Sequence, residues 1–420
     1  MSQPKVSKKH YHIVALVMVV FFAISFITNI LNSIIVDVKE SFDLSLGLTG
    51  MLPFFFFIAY GVMSIPAGFL SEKYGDKVLL SISFFVMMLA SLVFVIFPGY
   101  IIFSLSLFSL GCCMAVLQVI INPMLRAAGG EEHFAFNSVL AQLVFGLASF
   151  ASPYLYIYLV GNENASGGLA AILLDLVPAE LPWVSLYVVF AFLALLLLGI
   201  VRITKYPSYQ KKENEKSGDS KSYFQLLKNK WTLLYFFGIF CYVGAEQGIG
   251  NWISQFLHQY HGLDAQTTGA NTVAYFWGLL TAGCLLGLVL LRIMDSRKLL
   301  IGASVMTISC LLVAIFGSSE VALYAFPLLG FFISVMWSII FSLGLNSVTT
   351  HHGSLSGILC TGIAGGAIMP LIVGFIGDVF SLKVGMLFLV LPLLFILSIG
   401  FWAKPLITNS TIQQKKKQST

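Results

Sequence analysis

Twelve apolar runs, each near twenty residues, divide almost the whole chain, and they constrain its fold more than any other feature. They fall at about 12 to 36, 47 to 70, 78 to 97, 100 to 124, 135 to 159, 182 to 202, 231 to 257, 269 to 291, 299 to 317, 321 to 345, 354 to 377 and 384 to 403. A helix of that length crosses the roughly 30 Å hydrocarbon core of a bilayer. With 58% hydrophobic residues, 10% charged residues and 37 Phe, the balance is not that of a soluble globular protein. An all-α, multi-pass membrane protein is expected, with the lipid bilayer as its main surroundings.

The first run is too long for a signal-peptide core, lacks a small-x-small cleavage site and is followed by eleven more. It is therefore read as a retained span. With the N-terminus in the cytoplasm, every Lys and Arg except Lys39 and Lys383 falls on inside segments or span ends. That asymmetry predicts both termini inside. The formal charge of +5 then reports orientation and does not point to nucleic acid. The six Cys, at 112, 113, 241, 284, 310 and 360, all lie within runs and show no metal-ligand spacing, so they read as small packing residues.

A polar stretch from Lys205 to Lys221 separates six runs from six. The expected domains are 1–202, a six-helix bundle; 203–230, a cytoplasmic linker; 231–404, a second bundle; and 405–420, a cytoplasmic tail. A shift of 219 residues carries Asn32 onto Asn251, Gly68 onto Gly287 and Lys73 onto Arg292. This faint repeat supports two related halves.

The loop after span two reads Gly68-Phe69-Leu70-Ser71-Glu72-Lys73-Tyr74-Gly75-Asp76-Lys77. It resembles the loop signature of the major facilitator superfamily, and a degenerate copy with Arg292, Asp295, Arg297 and Lys298 follows span eight. The resemblance implies twelve transmembrane helices in two pseudo-symmetric six-helix bundles. It also makes Gly68, Glu72, Lys73, Gly75, Lys77 and Arg292 candidates for conformational gating, since an acid and a base can neutralise helix ends that meet at the cytoplasmic seam. Span four ends Leu117-Gln118-Val119-Ile120-Ile121-Asn122-Pro123, similar to the Leu-Glu-x-x-x-Asn-Pro of the fucose:proton symporter family and its glucose/galactose relatives. Tyr60-Gly61, Tyr242 to Glu246, Ile340 to Gly344 and Gly365 to Pro370 fall in matching order. The resemblance implies uptake of a monosaccharide or amino sugar with a cation, by alternating access, in a bacterial inner membrane.

There are departures as well. Where proton-coupled members of that family carry acids, this chain has Asn32-Ser33 and Gln118. Asp37 is a displaced candidate, and Glu246 is the best-placed remaining carboxyl. An ionisable group at that depth costs roughly 2.5 to 3.5 kcal/mol even on the mildest insertion scale. A proton or a sodium ion would offset the cost, and so would a neutral carboxyl bonded to a neighbouring helix.

A sugar site needs amides for hydroxyls and aromatic faces for the ring's C–H surface, projecting into a cavity between the halves. Asn29, Asn32 and Ser33 in span one, Gln118 and Asn122 in span four, and Gln247, Asn251 and Gln255 in span seven supply the polar groups. Trp252, Trp277 and Trp337 supply the rings. The alternatives are interhelical hydrogen bonds for the amides and interfacial anchoring for tryptophans, the reading favoured for Trp183, Trp231 and Trp402. His133, His351 and His352 read as solvated loop residues, and the apolar stretch Gly168 to Val177 as lying on the membrane surface.

No phosphate loop, metal spacing or nucleophile elbow appears, so neither an enzyme nor a cofactor is expected. An exporter of drug-like or lipid substrates and a non-transporting receptor remain alternatives. Against export, span five reads Gly146 to Pro153 without a Gly-Pro pair; against a receptor, the tails are short. A monomer is expected.

Overall fold

The computed structural model describes residues 10–44, 46–160, 168–206, 225–264 and 268–412. Among them are twelve helices long and apolar enough to cross a membrane: Tyr11–Asn29, Phe54–Tyr74, Asp76–Ile96, Tyr100–Gly129, Glu131–Tyr156, Pro182–Ile203, Lys230–His261, Ala270–Ile293, Ser296–Phe316, Ser319–Leu345, His352–Val379 and Leu382–Trp402. These are numbered spans one to twelve below. Each overlaps one expected run. Span seven reaches beyond its apolar stretch because both ends are capped. The Asn229 side chain accepts from the Trp231 N–H at 2.9 Å, and Gly262 closes the helix at φ +66°, in the left-handed region.

The pairing of helices repeats with a step of six. In the first half spans two and four, three and six, one and five, and three and four pack together; in the second half spans eight and ten, nine and twelve, seven and eleven, and nine and ten do the same. Two of the closest approaches are also equivalent. A side chain at Gly111 in span four would stand 2.7 Å from the Phe56 carbonyl oxygen of span two, and Gly330, which lies 219 residues later in span ten, abuts the Phe276 carbonyl of span eight. Lipid tails supply no hydrophobic force between helices, so close backbone contact at small residues is what holds such crossings.

Two spans of the second half are interrupted. Span ten breaks between Ile333 and Met336, and span eleven passes through a tight turn at Gly362–Ala364. The Ser334 hydroxyl donates to the Phe331 carbonyl at 2.8 Å, re-satisfying backbone freed by the break. Gly365 lies against the Phe240 carbonyl of span seven, so the glycines here serve close approach as well as bending.

One tryptophan is not where the sequence suggested. Trp183 is almost fully buried, donating from Nε1 to the Ser41 hydroxyl at 3.0 Å and lying against Phe42, Phe94 and Phe103. It anchors the first half's aromatic core and is not an exposed anchor, because spans three, four and six converge around it. Trp231 is half exposed and its ring lies tilted against Trp402, centroids 5.5 Å apart. The stretch after Gly168 forms a short helix, Gly168–Leu174.

Replacing Gly111 or Gly330 by Val is expected to overpack these crossings and cost about 1 to 3 kcal/mol each. Thermal unfolding of the detergent-purified protein checks this, and a midpoint equal to that of the unchanged chain would contradict it.

Candidate functional site

The halves meet most tightly on the face that carries both described ends of the chain. There span two crosses span eleven. Gly68 lies against the Gly353 carbonyl, and Gly357 against the Ser64 carbonyl. The Glu72 carboxylate ends this crossing. Its Oε1 accepts from the Ser354 N–H at 2.8 Å, and Oε2 lies 3.3 Å from His351 Nδ1. An anion thus sits on the free N–H groups that open span eleven, the placement a helix dipole favours. One turn deeper the Ser356 hydroxyl donates to the Val119 carbonyl of span four at 2.7 Å.

A second polar contact joins spans four and ten. Buried Arg126 donates from Nε to Asn346 Oδ1 at 2.7 Å and pairs with Glu131 at 2.9 Å. Asn346 in turn donates to the Glu131 carbonyl at 3.3 Å. The Arg292 guanidinium of span eight lies 4.7 Å above the Phe136 ring of span five. Farther along the same pair, Gly146 receives the Thr281 side chain. Spans two with eleven and five with eight are equivalent under the six-helix step, so the seam is itself symmetric.

The tail completes this face. Asn409 donates to the Leu291 and Met294 carbonyls at 2.9 and 3.0 Å and accepts from the Ser296 N–H at 2.9 Å, bridging spans eight and nine. The next residue, Ser410, donates its N–H to the Glu132 carbonyl of the first half at 2.9 Å.

The remaining gating candidates stay within the first half. Lys77 donates to the Arg202 and Thr204 carbonyls at 2.9 and 3.0 Å, capping span six. Gly75 supplies a turn at φ +86°, and exposed Lys73 lies over the Tyr74 ring. His351 corrects an expectation. Its side chain is only 15% exposed and faces Glu72, because the crossing of spans two and eleven buries the loop in which it sits.

Span seven brings the central candidates together. Span eleven packs against it at Gly244, where Met369 approaches, and at Trp252, which donates to the Pro370 carbonyl at 3.1 Å; span eight packs at Gly250, against Trp277. Helical spacing places Gln247, Asn251 and Gln255 on the arc between those neighbours. Of the spans that flank this arc, eight and eleven both reach the first half, so the arc turns toward the seam. Gln247 is half buried, and Asn251 and Gln255 are exposed.

Glu246 lies one residue off that arc, between spans eight and ten. Tyr242 donates its hydroxyl to Glu246 Oε1 at 2.7 Å, the Tyr242 ring packs on Trp337, and the Gln247 amide is a second polar neighbour. Its surface is 9% exposed. Among the described residues no basic side chain pairs with it, and no cluster of three His, Cys, Asp or Glu suits a metal ion.

In the first half, Gln118 is half buried, and Asn122 donates back to the Gln118 carbonyl at 2.7 Å while its buried Oδ1 has no partner. The Asn29 amide donates to the Ser25 carbonyl and the Ser149 hydroxyl, both at 2.9 Å, tying span one to span five. Asp37 accepts from the Tyr156 hydroxyl at 2.8 Å, well toward the far face. The side chains of Asn32 and Ser33 lie outside the described residues.

Sequence reasoning missed Arg126, Glu131, Asn346 and Asn409. Arg126 carried a usable signal, a basic residue just past the end of an apolar run, but its partner lies 220 positions away.

The chain matches a family described as Major Facilitator Superfamily over residues 17–363. It is 30% identical over 376 residues to the glucose/galactose transporter of Brucella abortus, covering 87% of this chain and 88% of that one. It is also 24% identical over 398 residues to the L-fucose-proton symporter of Escherichia coli, covering 87% and 86%. The crystal structure of the E. coli fucose:proton symporter superposes with a TM-score of 0.80 at 21% identity, over 93% of this chain and 98% of that one. A family match over most of the length and the paired six-helix halves lead to one conclusion: this chain belongs to the major facilitator superfamily and is a multi-pass membrane transporter, not an enzyme.

Proposed function

We propose that the protein imports a monosaccharide or amino sugar by cation symport, with the two halves rocking about a central site. The observation that carries this reading is the polar arc of Gln247, Asn251 and Gln255 on span seven, turned toward the seam, with the unpaired acid Glu246 directly behind it. The names of relatives support the substrate class, since two are a glucose/galactose transporter and an L-fucose-proton symporter. Amides suit sugar hydroxyls. Gln118 is half buried, while the orphaned Oδ1 of Asn122 and the Trp337 ring are buried in this arrangement and would join it as the halves move; such a set suits both polar and C–H faces of a pyranose.

The coupling ion in this reading is a proton. Around Glu246 stand one phenol and one amide, a donor set that can exchange a proton but offers a poor cage for sodium. Substrate and proton would each bind better with the other present, a linkage typically of 1 to 3 kcal/mol. The face that carries the chain ends is taken as cytoplasmic because the Lys and Arg collect there, and the relatives' organisms support a bacterial inner membrane. The contacts of Glu72, Arg126 and the tail then close the cytoplasmic side. Both halves of the site come from one chain, which makes a monomer the working unit.

Proteoliposome uptake with a panel of labelled sugars, at several pH values and with and without sodium, tests the reading. Glu246→Gln is expected to abolish concentrative uptake while leaving counterflow exchange intact. Wild-type accumulation in that variant would remove Glu246 from coupling, and failure of every sugar in the unchanged protein would overturn the substrate class. Gln118→Ala is expected to raise KM about tenfold, the size of one lost hydrogen bond, with a smaller change in kcat.

The closure contacts predict a population shift. Glu72→Gln and Asn346→Ala should each favour the inward-open arrangement by about 1 kcal/mol. Distances between spin labels placed across the cytoplasmic ends of spans two and eleven report it, and an unchanged distribution in both variants would show that these bonds do not set the equilibrium.

A further inference from the structure

A cavity of about 300 Å³ opens on the outer surface of the second half, between spans eight, nine and ten. Its walls include Leu286, Leu290, Met306 and Phe332, and Lys298 stands at the end nearest the chain termini. Eight residues separate Lys298 from Met306, so the groove runs about 12 Å along span nine. That is most of one leaflet's share of the hydrocarbon core, about 15 Å. The one hydroxyl in the wall, that of Ser334, is already committed to the Phe331 carbonyl at 2.8 Å.

Gly302 gives the groove its depth. Two other glycines on the wall are required by packing: Gly283 lies against the Phe331 carbonyl and Gly287 against the Val335 side chain. At Gly302 a side chain would meet nothing within 4 Å. No neighbour demands a glycine there, although glycine is disfavoured inside a helix. Its effect is to leave open volume on the lipid-facing side of span nine.

Charge at the groove's end is also specific. Asp295, close by, is engaged by Arg297 through its backbone N–H at 2.8 Å and through its guanidinium at 3.1 and 3.2 Å. Lys298 is exposed and forms no ion pair among the described residues. A free ammonium at headgroup depth above an apolar groove is complementary to a phosphate with an acyl chain beneath it.

We propose that this groove binds one anionic phospholipid of the surrounding bilayer, with an acyl chain along span nine past Gly302 and the headgroup phosphate at Lys298. The occupant would touch the helices of the seam. Gly287 lies against both Val335 and Val139 of span five, so the lipid fills space directly behind a contact between the halves.

Native mass spectrometry of the full chain tests this, after delipidation and exposure to equimolar phosphatidylglycerol and phosphatidylcholine of equal chain length. The unchanged protein is expected to retain one phosphatidylglycerol in preference by about fivefold, the order expected of one basic residue at an anionic surface. Lys298→Gln should bring the two lipids to near parity, and Gly302→Leu should remove the retained lipid while the protein stays monodisperse. Should Gly302→Leu not fold, Met306→Trp closes the same groove from a lipid-exposed position and is read in the same way. Retained preference in Lys298→Gln, or undiminished retention in a folded groove-filled variant, would overturn the proposal.

Discussion

The crossing of span two over span eleven is the contact on which the arrangement of the two halves depends. Within a bilayer the helices gain little by burying apolar surface against one another, so association rests on close backbone approach and a few polar bonds. Gly68, Gly353 and Gly357 let two backbones touch, and Glu72 then reaches the opening turn of span eleven. The carboxylate's position joins two requirements: the helix start needs an acceptor, and the acid needs donors. The Arg126, Asn346 and Glu131 group and the tail at Asn409 and Ser410 reinforce the same face.

Such a face can open, because its bonds are few and terminal. Helix ends carry backbone groups that water can satisfy as well as a partner can, so exchanging Glu72 for solvent leaves no buried group stranded. The glycine crossings inside each half lie deeper. Gly111 on Phe56 and Gly330 on Phe276 press glycine onto backbone in mid-membrane, where nothing replaces the lost contact. Rigid halves and a separable seam are what the proposed rocking cycle requires.

Glu246 shows how a helix can hold an acid next to a polar face without placing it on that face. Consecutive residues on a helix point about 100° apart, so Gln247 joins the arc toward the seam while Glu246 turns between spans eight and ten onto the Tyr242 hydroxyl. A phenol bond is weaker than an ion pair and compatible with either protonation state. The acid is therefore held and not neutralised, which is the property that made it conspicuous in the sequence.

By itself the sequence determined the number of spans, the division into halves and the kind of residue available at each depth. These follow from run length, charge distribution and a 219-residue repeat, all of which are local or periodic. It also placed Glu72 at a helix end, though not against which helix. Only the tertiary structure decided the partners. Trp183 became a core residue because three spans converge on it, His351 became half-buried because it lies against Glu72 at a crossing, and Arg126 found an acceptor 220 positions away. Hydropathy records how much a residue avoids water; it carries no record of which helix lies beside it. That is fixed by small residues meeting across the membrane, and pairing at such distance leaves no trace in a single sequence.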